Sequence, residues 1–154
     1  MTKLFCGPND SRCLHVRDWG LLLLRLTAGF FMLTLHGLPK LQNYAELSQT
    51  FPPMLGMSSQ VALSLIIFAE FFCSIALILG LFTRLATVPL IIGLGVASFV
   101  AHAGDPLAAR EMSLLYFFMY VVILLTGPGK IALDSLIYKR FCPNSRKAPN
   151  GIRP

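Results

Sequence analysis

An all-α fold, an integral membrane bundle of four helices, is predicted by three observations on the 154-residue sequence. The chain is 55% apolar and only 13% charged, far from a water-soluble average. Its apolar residues fall into four runs, Trp19 to Leu38, Ser59 to Leu81, Leu85 to Ala103 and Pro106 to Thr126. Each run is close to the ~20 residues that carry a helix across ~30 Å of hydrocarbon. Together they use more than half of the chain, which leaves no room for a separate soluble domain of ordinary size.

The elements follow in order. Residues 1–18 read as a cytoplasmic N-terminal segment rather than a secretory signal, because the first apolar run begins near Trp19 with no small-x-small cleavage site after it. The first helix is expected to end at His36-Gly37, where glycine offers a left-handed cap and Pro39 stops continuation. In the loop from Pro39 to Ser58, Tyr44, Leu47 and Phe51 stand at helical spacing ahead of Pro52-Pro53. That pattern predicts a short interfacial helix over the outer mouth of the bundle. Gly80 to Arg84 is so short that the second and third helices must be antiparallel neighbours, with Thr83 the expected N-cap. Pro89 falls early enough in the third run to be absorbed or to kink it mildly. Asp105 is expected to cap the fourth helix, with Pro106 in its first position. Gly127-Pro128-Gly129 breaks that helix, and KIALDSLIYKRF resumes as an amphipathic surface helix. The basic, proline-containing tail, residues 139–154, is expected to be disordered and cytoplasmic.

Four spans place both termini on one side, and the basic residues choose which. Lys3, Arg12, Arg17, Arg84, Lys130, Lys139, Arg140, Arg146, Lys147 and Arg153 fall on the terminal side, against Lys40 and Arg110 opposite. By the positive-inside rule both termini are expected to be cytoplasmic. The net charge of +6 is then a band facing anionic lipid, and no interleaved basic and aromatic patch suggests nucleic acid. The bilayer is the expected partner, and a homo-oligomer stays open. Cys6, Cys13 and Cys142 lie on the reducing side and Cys73 inside the second run, none in a CxxC spacing. Free thiols are the expectation, with a Cys6–Cys13 redox pair the alternative.

An ionisable residue within a span costs at least ~2.5 kcal/mol and marks a candidate site. Counted at ~1.5 Å of rise per residue from the terminal side, Arg25 lies ~9 Å deep, Glu70 ~16 Å, and His36, His102 and Glu111 ~22–26 Å. Arg25 and Glu70, opposite in charge and similar in depth, are expected to form a buried ion pair locking the first two helices. Glu70 can equally serve as a proton acceptor near the midplane. His36, His102 and Glu111, with Lys40 and Arg110 just beyond, are expected to form an outer polar pocket. Ser98, one turn before His102, shares its face and is placed to hold an imidazole tautomer. The ligand-binding candidates are therefore His36, Lys40, Glu70, His102 and Glu111. No HxxxH or HExxH spacing is present, and no metal site is assigned. Most of the aromatic residues serve as lipid-facing or packing surface, and a minority turned inward would suit a flat quinone ring, whose carbonyls need donors such as histidine.

The stretches GFFMLTLHGLPKL after Arg25, AEFFCSIALILGLFTRLA, AHAGDP, and REMSLLYFFMYVVILLTGPGKIALD together resemble the DoxX family of small four-helix membrane proteins, over residues 19–138. The matching polar positions are Arg25, His36, Lys40, Glu70, Arg84, Glu111 and Asp134, and His102 sits where relatives often carry histidine. The resemblance implies an inner-membrane oxidoreductase subunit. Some relatives look like subunits of thiosulfate:quinone oxidoreductase, others like partners of soluble thiol or superoxide enzymes in oxidative-stress defence. It transfers no catalytic set. The leading reading is a membrane component of a redox system that binds a quinone or similar lipid-soluble carrier and works with soluble or membrane redox partners. The alternative is a non-catalytic anchor or assembly factor. A small transporter or proton conduit comes third, because the inverted repeats and paired broken helices of transporters are missing from the sequence.

Overall fold

The computed structural model describes residues 11–141, and among these every regular element is a helix. Four helices are long and apolar enough to cross a membrane: His15–Gln42, Ser59–Leu79, Thr83–Ala101 and Leu107–Thr126. These are the first to fourth spans. They form an antiparallel ring in which the first packs on the second and fourth, and the third on the second and fourth. The core follows from rows of inward residues at three- and four-residue spacing. Ala28 and Met32, Ala69, Cys73 and Leu77, Ala86, Leu90 and Leu94, and Tyr116, Tyr120 and Ile123 meet at the axis. Tyr120 is fully buried, and its hydroxyl donates to the Ala28 carbonyl at 3.1 Å. On the outer surface stand Leu65, Phe72, Leu115, Phe118 and Val122, where a water-soluble bundle would carry charge.

The first span does not end at His36-Gly37 as expected. Gly37 is right-handed helical, and the helix runs through a wide π-helical stretch, Met32–Gly37, into Leu38–Gln42. Leu38 donates to the carbonyl five residues back, and the widened turn carries the chain past the missing N–H of Pro39. Gly37 serves close approach instead of capping: a Cβ there would stand 2.7 Å from the Glu70 carbonyl oxygen. The second and third spans have π-helical stretches too, Phe68–Cys73 and Ala97–Ala101.

Two caps also differ from expectation. Phe82, with φ 47°, precedes the third span, so Thr83 is its first residue and buries a hydroxyl with no partner. The cap comes from Asp134, whose two carboxylate oxygens accept the N–H groups of Phe82 and Thr83 at 2.6 and 2.8 Å. The fourth span begins at Leu107 after Pro106. Asp105 does not cap it, because its carboxylate is taken up by His102 Nδ1 at 2.7 Å.

The short helix expected in the first outer loop is present as Tyr44–Thr50, tied to the second span by the Tyr44 and Ser64 hydroxyls at 3.0 Å. The helix after Gly129 is Leu133–Phe141. Cys73 is a buried free thiol. Cys6, Cys142, the Cys13 side chain and the tail from residue 142 lie outside the described residues.

Candidate functional site

The polar residues of the spans divide between two places. Toward the end away from the termini, the close approach of Gly37 to Glu70 brings the first two spans together. Lys40 stands one turn further on, and a helical side chain leans back toward the N-terminus of its helix. Its ammonium therefore reaches Glu70 and lies 2.6 and 2.5 Å from the two carboxylate oxygens. The Glu70 side chain is 10% exposed and that of Lys40 26%, so this is a largely desolvated ion pair. His36 packs edge-on against the Tyr116 ring, with centroids 5.9 Å apart. Tyr116 in turn stacks on Tyr120. The three π-helical stretches among the described residues carry His36, Glu70 and Ser98. Wide turns of this kind recur at functional sites.

The pair opens on a cavity of about 320 Å³, whose polar lining is Lys40, Glu70 and His102. Phe51, Pro52 and Met54, which follow the surface helix, close it from outside, and Gly93, Leu94, Ala97 and Ala101 of the third span form one wall. Met54, Ile66 and Gly93 are shared with a second cavity of about 280 Å³, apolar throughout, which also reaches Leu65, Phe68 and Ile92. Those three residues are exposed between the second and third spans. An apolar cavity open at the side of the bundle thus adjoins one that reaches an ammonium, a carboxylate and an imidazole.

This is not the cluster expected from depth. Lys40, Glu70 and His102 meet at the cavity, His36 sits behind Glu70 without lining it, and Glu111 is exposed. Ser98 does not hold His102: its hydroxyl donates to Ser113 at 2.7 Å, while His102 pairs with Asp105 in the turn ahead of the fourth span. Among the described residues no three His, Cys, Asp or Glu converge as a metal-binding group.

The expected Arg25–Glu70 pair does not form, because each residue finds a nearer partner. Arg25 is 2% exposed and donates to the carbonyls of Pro128 and Ile131 at 2.6 and 2.9 Å. Carbonyls just past a helix end lack helical partners, and a guanidinium satisfies two at once. Gly80, at φ 71°, lies against this guanidinium; a Cβ there would be 2.9 Å from Arg25 Cζ. Asp134 closes the clasp by capping the third span while its own N–H donates to the Gly80 carbonyl at 2.8 Å. Arg25 and Asp134 thereby join all four spans at the terminal end. Asp134 as a cap was missed by sequence reasoning. The available signal was Phe82, a cap position without a side-chain acceptor, which obliges some distant group to supply one.

The chain matches the model of the DoxX family over residues 20–103, a region that holds Arg25, His36, Lys40, Glu70 and His102. It is 32% identical over 134 residues to an uncharacterized protein of Haemophilus influenzae, an alignment covering 80% of this chain and 95% of that protein. No solved structure matches.

Proposed function

The chain belongs to the DoxX family, and from that premise we propose that this multi-pass membrane protein is a component of a redox system, taking up a quinone or similar lipid-soluble carrier. One observation supports the reading: an apolar cavity between the second and third spans adjoins, at Met54, Ile66 and Gly93, the cavity lined by Lys40, Glu70 and His102, and in this reading the two form one passage. A flat apolar ring enters such a passage from the bilayer without crossing water, and its carbonyl oxygens accept hydrogen bonds from an ammonium or an imidazole. Glu70 fixes the Lys40 ammonium at the end of the passage and is placed to exchange a proton with it. Electrons come from a soluble or membrane partner protein. In this reading both termini are cytoplasmic, which the ten-to-two division of basic residues supports, and the membrane is the inner one, as the family resemblance implies.

The anchor reading is favoured by a different observation. Arg25 and Asp134 are both engaged in the clasp, so part of the polar content of the spans is structural. Calorimetry in lipid nanodiscs with a short-chain quinone separates the two. The redox reading expects saturable binding by the wild type, weakened roughly tenfold in Lys40→Gln, the loss of one charged donor. Absence of saturable binding by the wild type would leave the anchor.

A further inference from the structure

At the terminal ends of the first and fourth spans lies a separate cavity of about 230 Å³, lined by Arg17, Asp18, Leu21, Thr126, Gly129 and Lys130. Asp18 forms its floor and is only 3% exposed. Its Oδ1 accepts the Lys130 backbone N–H at 3.3 Å. Its Oδ2 is buried without a hydrogen bond, the Lys130 ammonium standing 3.7 Å off. A buried carboxylate oxygen with no donor is costly and calls for a partner. Arg17 and Lys130 are exposed at the rim, so the cavity presents cations outside and, within, a carboxylate oxygen that accepts no hydrogen bond. Val16, Trp19 and Leu125 are exposed nearby, which sets the mouth at the boundary between apolar surface and polar span ends, the level of lipid headgroups.

We propose that this cavity is a phospholipid headgroup site selective for an ethanolamine lipid, with the phosphate between Arg17 and Lys130 and the primary ammonium donating to Asp18 Oδ2. The charge pattern discriminates among headgroups. A glycerol headgroup has no ammonium to pair with Asp18. A choline headgroup has no N–H to donate. A serine headgroup brings a second carboxylate toward Asp18, where like charges repel. Basic pockets at span ends commonly hold lipid phosphate; the buried acid at the floor adds the selectivity.

The test is native mass spectrometry of the full chain from micelles holding equal amounts of ethanolamine, glycerol, serine and choline phospholipids with identical acyl chains. Ethanolamine lipid should be retained over glycerol lipid by roughly tenfold, the order of one charge-assisted hydrogen bond. Successive N-methylation of the ethanolamine should lower retention, and Asp18→Asn should abolish the preference while Arg17→Gln lowers retention of both lipids. Equal retention of all four headgroups by the wild type, indifference to methylation, or an unchanged preference in Asp18→Asn would each overturn the proposal. The methylation series uses the wild type alone, so a failure of Asp18→Asn to fold leaves the test decisive. In a parallel arm, soluble O-phosphoethanolamine should protect against thermal unfolding less than the lipid does. Equal protection would overturn the lipid as the source of the group.

Discussion

Replacing Lys40 by methionine should destabilise the bundle more than replacing Glu70 by glutamine, and the two changes should be strongly coupled. The ammonium lies 2.6 and 2.5 Å from the carboxylate oxygens. At ~3 Å and an effective dielectric constant of ~20 the attraction is about 5 kcal/mol, most of it offset by desolvation of both groups. The single substitutions expose that hidden balance unequally. Lys40→Met keeps the stem and strands a carboxylate that is 10% exposed, a loss of about 3 kcal/mol. Glu70→Gln keeps an acceptor, and the Lys40 ammonium, near the C-terminal end of its span, can swing its flexible stem toward water, for about 1–2 kcal/mol. The double variant should lose only about 2 kcal/mol, because the stranding penalty is not incurred twice. Reversible unfolding in mixed micelles, titrated with a denaturing detergent, gives the four stabilities of the cycle. Arg25→Met crossed with Glu70→Gln provides the control, since Arg25 holds Pro128 and Ile131, and its effects should add within ~0.5 kcal/mol. Additive behaviour of Lys40 with Glu70, or coupling of Arg25 with Glu70, would refute the assignment of partners.

Gly37→Ala places a Cβ 2.7 Å from a backbone oxygen that cannot rotate away. It should cost about 2–3 kcal/mol in the same titration, as overpacking does, and weaken Lys40–Glu70 coupling by forcing the spans apart. Asp134→Ala should cost about 2 kcal/mol, since two N–H groups of the third span lose a charged acceptor at once. Hydrogen exchange should show the loss concentrated at Phe82 and Thr83. A reporter fused after Pro154 should register cytoplasmic and one inserted at Gly56 outside, following the distribution of basic residues; the reverse result would invert the orientation of all three cavities.

The sequence alone determined that four helices form and roughly where, because the length of an apolar run and the rarity of charge within it are local properties. The helix at Tyr44–Thr50 and the break at Gly127 were equally legible, from aromatic spacing and from Gly-Pro-Gly. Pairing of the polar residues was not. Depth along a straight α-helix put Arg25 near Glu70, but depth carries no information about which way a side chain faces. Each π-helical turn inserts a residue and turns all that follows by about 100°, and Pro39 disguised the continuation that keeps Lys40 within helical reach of Glu70. His102 was legible as a pocket residue because it ends a span, whereas Glu111 shares that depth and still faces outward. The Asp134 cap joins residues 51 and 52 positions apart, and no local pattern could assign it. Burial decided these partners: once the spans pack, each buried charge takes the nearest group able to satisfy it, and only the tertiary structure sets which group is nearest.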